Sequence, residues 1–142
     1  MRALLDVNVL IALLDADHAF HQAAWNWFEP NANDGWASCP ITQNGCIRIM
    51  AHPAYPNAVP VQAVAERLRE AAASASHEFW PDDATLLEQQ AFNLDRVHGP
   101  RQVTDTYLLG LAVKKRGRLV TFDRAVSRAA VAGAHANHLL IL

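Results

Sequence analysis

Ala3-Leu4-Leu5-Asp6-Val7-Asn8-Val9-Leu10-Ile11-Ala12-Leu13-Leu14 opens the chain, and the change of pattern at Asp6 decides how the rest is read. Arg2 to Leu5 is a short apolar run that reads as a buried strand ending on a carboxylate. From Val7 to Leu14 the apolar residues are too dense for alternation and suit a helix packed in the interior. Arg118-Leu119-Val120-Thr121-Phe122 is a second strand, and it too runs into an acid, Asp123.

Outward from these anchors, strands and helices alternate. Trp36 to Cys39, His77 to Trp80 and Leu139 to Leu142 are further strand candidates. Helical spacing covers His18 to Glu29, Val61 to Ala75, Ala84 to Leu94 and Ala125 to Ala132. Pro40 suits the first turn of a helix that runs to Met50 and stops before His52-Pro53. Another helix starts near Thr104 and continues past Leu108, Leu111 and Lys115. Gly117 closes it at a position that suits a left-handed cap. Pro30 and Gly35 mark one break, Pro53, Pro56 and Pro60 another, and Gly99-Pro100 a third. Such alternation predicts an α/β fold with a mostly parallel sheet covered on both faces. The 142 residues suit one domain, spanning 1–142.

Composition narrows the function classes. An apolar fraction of 51% and a charged fraction of 18% can bury a core and do not read as disordered. The formal charge of −2 lacks the basic excess of many nucleic-acid binders, so RNA contact would need a local patch or bound metal. The two cysteines, Cys39 and Cys46, lack metal-site partners at zinc spacing and read as buried apolar thiols in a reducing compartment. The run Val9 to Leu14 is too short for a membrane span and lacks a cleavage site. A protein without membrane contact is expected.

In parallel sheets, ligands bind beyond the carboxyl ends of the strands. Asp6 and Asp123 sit at such ends, and Asp105 sits near a helix start. Taken singly, each reads as well as a helix N-cap as a ligand. Together they repel, so either their pKa values rise or a cation neutralises them. Mg²⁺ suits three carboxylates, since it prefers oxygen ligands and keeps several waters.

The segment Leu4-Leu5-Asp6-Val7-Asn8-Val9-Leu10-Ile11 resembles the opening motif of PIN domains. Val103-Thr104-Asp105-Thr106-Tyr107-Leu108-Leu109-Gly110-Leu111-Ala112 resembles their central acidic helix start. Leu119-Val120-Thr121-Phe122-Asp123 resembles their late strand and acid. Pro40-Ile41-Thr42-Gln43-Asn44-Gly45-Cys46-Ile47-Arg48-Ile49 with His52-Pro53 is similar to one branch of the VapC toxins. The resemblance implies a three-layer α/β/α sandwich. It also implies a Mg²⁺-dependent endoribonuclease, with Mn²⁺ as the other candidate ion, acting as the toxin of a type II toxin–antitoxin pair. Asp6 and Asp105 would be the principal metal ligands, and Asp123 would complete the site directly or through water. Asn8 and Thr121 would orient ligands or serve the fold.

One departure stands out. PIN nucleases carry a Glu on the helix after the second strand, whereas this chain reads Gln43-Asn44-Gly45. Asn44 or Gln43 could offer only an amide oxygen. The outcome is one metal held by the remaining acids, or a weakened PIN-like module that binds RNA or a partner. Asp95 is a further acid, better read as part of a solvated helix end. Receiver and haloacid-type phosphotransfer folds are minor competitors, since a late Lys after Asp123 and a second Asp at Asn8 are both missing.

Arg48, Arg101 and Arg124 are candidate phosphate contacts or solvated surface charges. Lys114, Lys115, Arg116 and Arg118 crowd a helix end and read as complements of its dipole. Trp25, Trp27 and Phe28 read mostly as core, with remaining surface for an antitoxin helix or a homodimer contact. His18 and His21 read as surface or capping residues. The partners implied are an RNA substrate, a small antitoxin protein and a second copy, in the cytoplasm.

Overall fold

The computed structural model describes residues 1–142. Five short strands are β1 (Ala3–Leu5), β2 (Trp36–Ser38), β3 (His77–Phe79), β4 (Arg118–Thr121) and β5 (Leu139–Ile141). Five helices are α1 (Val7–Leu14), α2 (His21–Asn31), α3 (Pro40–Met50), α4 (Val61–Ala72) and α5 (Val103–Lys114). The sheet runs β3-β2-β1-β4-β5, and every pairing is parallel. No helix is long and apolar enough to cross a membrane.

The central strands β1, β2 and β4 are buried on both faces, and they sort their side chains by alternation. Ala3, Leu5, Trp36 and Val120 join Val9, Leu10 and Ile11 of α1, Cys46 and Met50 of α3, and Val64 and Leu68 of α4. Leu4, Ala37 and Leu119 point the other way, onto Leu108, Leu109, Leu111 and Ala112 of α5 and onto Trp80 and Phe92. The result is the expected three-layer α/β/α arrangement. Each fully buried leucine contributes on the order of 1.5–3 kcal/mol. Both cysteines are free and buried.

Two expected helices are absent. Residues 84–93 are turns and irregular chain, and a short 3₁₀ turn follows at Leu94–Arg96. Residues 125–132 keep only the 3₁₀ turn Arg128–Ala130. Each segment takes its partner from the other. The Asn93 amide donates to the Ala130 carbonyl at 2.9 Å and the Ala132 amide to Ala91 at 2.9 Å, around a Phe92–Val131 antiparallel bridge. The helix-like spacing of Ala84, Leu86, Ala91 and Phe92 serves instead to cover α5.

Two smaller expectations also change. α2 runs through Pro30 to Asn31, because a proline in the last turn leaves a single carbonyl without its bond. At the end of α5 the left-handed conformation falls on Arg116, with φ 58°, and not on Gly117. Gly117 is needed for space: a Cβ there would lie 2.6 Å from both the Arg2 carbonyl and the Trp80 ring. Two of the four basic residues also do more than complement a dipole, since Lys115 and Lys114 pair with Asp83 at 2.8 and 3.7 Å.

Gly110 lies in the middle of α5, where alanine ordinarily stabilises by about 1 kcal/mol. Here a Cβ would fall 2.2 Å from the buried Phe92 ring. Gly110→Ala should therefore destabilise the protein by about 1–3 kcal/mol through overpacking. A lowered midpoint in urea unfolding checks this; an unchanged or raised midpoint contradicts it.

Candidate metal centre

The strand order reverses at β1, whose neighbours are β2 on one side and β4 on the other. Such switch points open a crevice at the carboxyl ends of the strands. Asp6 leaves β1 there, with its amide bonded to the Val120 carbonyl of β4 at 3.0 Å. Asp123 leaves β4 two residues past Thr121. Asp105 enters from the other layer, in the first turn of α5.

Thr121 is the hub of this edge. Its hydroxyl donates to Asp6 Oδ2 at 2.6 Å. The same oxygen accepts from Asn8 Nδ2 at 3.2 Å and from the Asp123 amide at 3.0 Å. Asn8 Oδ1 in turn accepts the Phe122 amide at 3.2 Å. One turn of α1 and the end of β4 are thus tied through two neutral side chains. The cap reading of Asp6 also holds, since its Oδ1 accepts the Val7 amide at 2.7 Å. A carboxylate has lone pairs to spare beyond these two bonds, so capping and ligation are compatible. Asp123 heads no helix; its Oδ1 accepts the Ala125 amide at 2.8 Å in a local turn.

The electrostatics show what the convergence costs. Asp6 is only 5% exposed. Its carboxyl is raised by burial, which the Thr121 and Val7 hydrogen bonds oppose and the Asp123 charge reinforces. Asp105 is pushed up to about 7 by burial, by the Asp6 charge, and by the Asp123 carboxyl beside it. The donors are all oxygen and anionic when ionised, which suits a hard divalent cation. The three carboxylates come near enough to perturb one another but do not close into a three-ligand cage. An open carboxylate edge fits an ion that keeps several of its own waters.

The other expected residues divide. Asn44 and Arg48 lie one turn apart on α3 and line a crevice with Val7 and Thr104, the neighbours in sequence of Asp6 and Asp105. Arg101 and Arg124 are exposed near Asp105 and Asp123 in sequence. None of the three arginines is in an ion pair. Gln43 turns away and donates to Ser38 Oγ at 2.9 Å. Asp95 lines a separate hollow with Leu86 and Phe92. His21 ties α2 to the Ala12 carbonyl at 2.7 Å, and His18 accepts the Phe20 amide at 3.0 Å. Sequence reasoning passed over Asp82, which lines the same crevice as Arg48. The signal was available: Asp82 follows β3 as Asp6 follows β1, behind Trp80-Pro81.

A raised carboxyl binds its proton more tightly in the folded chain than in the unfolded one, where it titrates near 3.8. Stability of the protein in chelator should therefore fall as pH rises from about 4 through about 7, then level off. Asp105→Asn should remove much of that slope and stabilise at pH 8 by about 1–2 kcal/mol, allowing for partial solvent screening. Urea unfolding at pH 4.5 and pH 8 reads both effects; parallel curves for the two proteins would contradict the assignment.

Residues 3–132 match the PIN domain family. The chain is 47% identical to Ribonuclease VapC44 of Mycobacterium tuberculosis over 142 residues, all of both chains. It is 44% identical over 134 residues to Ribonuclease VapC39 of the same organism, covering 94% of this chain and 96% of the relative. The crystal structure of Mycobacterium tuberculosis VapC20, a sarcin–ricin loop cleaving toxin, shares the fold. Its TM-score is 0.64 at 14% identity, over 93% of this chain and 98% of the other. VapBC2 from Rickettsia felis, bound to a DNA fragment from its promoter, gives 0.56 at 16% identity, over 87% and 89%. With the fold, the acidic edge and full-length relatives in agreement, the chain belongs to the PIN domain family, in its VapC ribonuclease branch.

Proposed function

We propose that this chain is a Mg²⁺-dependent endoribonuclease acting as the toxin of a type II toxin–antitoxin pair, with residues 1–142 working as one PIN-like nuclease domain. The observation that carries the reading is the convergence of Asp6, Asp105 and Asp123 at the switch point, in a chain whose full-length relatives are named ribonucleases. Asp6 and Asp105 are the principal ligands in this reading, and Asp123 completes the set directly or through water. Mn²⁺, with the same preference for oxygen donors, is the second candidate ion.

When bound, such an ion supplies an attacking water of lowered pKa and stabilises charge on the phosphoryl oxygens. The chain's own residues hold the geometry around it. Thr121 and Asn8 keep Asp6 and the end of β4 in fixed relation. Arg48, Arg101 and Arg124 are free to meet RNA phosphates. Asn44 offers an amide oxygen where a PIN nuclease would carry an acid.

The proposed partners are RNA, a small antitoxin and a second copy of the chain, in the cytoplasm. An apolar hollow among Leu10, Leu13, Leu14, Trp25 and Phe28 is the surface this reading assigns to the antitoxin helix or the second copy. Trp25 is 39% exposed there, although its indole N–H bonds the Leu13 carbonyl at 3.2 Å.

A second reading rests on one observation, the neutral Asn44 in place of an acid. In it the chain is a weakened module that binds RNA or a partner without cutting. Calorimetric titration with Mg²⁺ beside an RNA cleavage assay separates the two: metal uptake with cleavage supports the enzyme, and neither supports the module.

Asp6→Asn and Asp105→Asn should each lower Mg²⁺-dependent RNA cleavage by at least about 100-fold while circular dichroism stays native. Cleavage undiminished in either variant would sink the ligand assignment. Thr121→Val should weaken Mg²⁺ binding about 10-fold by calorimetry, because it frees Asp6 Oδ2 and unties Asn8.

A further inference from the structure

We propose that the crevice beside the carboxylates is a base-reading subsite that selects guanosine next to the scissile bond, with Asp82 reading the base. The proposal rests on the ribonuclease reading above. The crevice has a volume of about 390 Å³ and is lined by Val7, Pro40, Asn44, Arg48, Asp82 and Thr104 among others. That volume lies in the range of small-molecule sites, roughly 300–1,000 Å³. Val7 and Thr104 adjoin Asp6 and Asp105, so a nucleotide seated here is next to the reacting phosphate.

Two charges of opposite sign line the crevice, and neither is spent. Arg48 and Asp82 are not paired with each other or with any other charged residue. The backbone around Asp82 is also held from both sides. Trp80 is 2% exposed, and its amide donates to the Ser38 carbonyl at 2.9 Å. Asp83 is pinned by Lys115 at 2.8 Å, and its amide donates to the Pro81 carbonyl at 2.9 Å. Between these anchors Asp82 stands beside the Cys39 thiol at the end of β2. The path of the chain is thus fixed at Asp82, while its carboxyl stays exposed and outside any ion pair, so it remains an acceptor available to a ligand.

Chemistry selects the occupant. An ionised carboxylate only accepts hydrogen bonds, and it repels phosphate. The Asp82 side must therefore take a donor edge, while Arg48 takes the adjoining phosphate. Guanine presents two parallel donors, N1–H and N2–H₂, which match the two oxygens of a carboxylate in a bidentate pair. Adenine and cytosine each place one amino group beside an acceptor, and uracil flanks its single imino group with two carbonyls. Single-stranded RNA exposes these edges.

The test uses short single-stranded oligoribonucleotides in which one guanosine at the cleavage site is replaced by inosine, which lacks the N2 amino group. Losing one charge-assisted hydrogen bond should lower the wild-type rate about 10-fold or more. The guanosine-to-inosine ratio should fall towards 1 in Asp82→Ala. A wild-type ratio near 1 overturns the proposal, as does a ratio that survives in Asp82→Ala while all rates fall together. If the wild type cuts none of these RNAs, the nuclease reading fails separately, and fluorescence anisotropy of the same oligonucleotides decides the subsite. A guanosine preference in binding that Asp82→Ala removes supports it; no such preference overturns it.

Discussion

Leu4 lies opposite Leu119 and Leu5 opposite Val120 in the parallel pairing of β1 with β4, and the placement of charge depends on that register. Once these strands are aligned, Asp6 and Asp123 must emerge at one edge, with Thr121 between them. The apolar layers on either side make the alignment unavoidable. A slip of one residue would turn Leu4 and Leu5 to the wrong faces. The fold therefore spends hydrophobic stabilisation on holding carboxylates where they repel. Burial and neighbouring charge push Asp105 up to about 7, in the direction that conflict requires. A cation resolves it, and so does a proton.

The neutral side chains at this edge matter as much as the acids. Thr121 and Asn8 supply hydrogen bonds without adding charge, so they join the end of β4 to the start of α1 without adding to the repulsion. Asn44 is neutral as well, and it leaves the α3 side of the crevice with Arg48 as its charged group. A carboxylate on that helix would have neutralised Arg48 or competed for the cation. With Asn44 in place, the arginine stays out of any ion pair, and the acid that lines the crevice with it comes from the segment after β3.

That acid, Asp82, stands just before the irregular segment that takes the place of the helix expected over residues 84–94. A regular helix directly after β3 would have carried the chain away from α5. Instead Asp83 clamps onto Lys115, Phe92 packs against Gly110, and Trp80 packs against Gly117. Two glycines on or just after α5 make room for two aromatic rings. These contacts fix the path of the chain past the mouth of the crevice.

By itself the sequence determined the strands that end on Asp6 and Asp123, the proline-started helix from Pro40, the helix that carries Asp105, and hence a parallel sheet with acids at its carboxyl edge. Those features follow from local rules: apolar runs of strand length, helical spacing and strand-to-acid transitions, each legible within a dozen residues. Tertiary structure decided the rest. Residues 84–94 and 125–132 have helical spacing but pair with each other, because the Asn93 and Ala132 amides find carbonyl partners across the bridge. Gly117 looked like a cap and is instead a contact with Trp80, while Arg116 takes the left-handed turn. Asp82 and Asp83 are adjacent and chemically identical, yet one is consumed by Lys115, 32 residues away, and the other lines the crevice. No local pattern separates them, because what distinguishes them is the partner that the folded chain brings within reach.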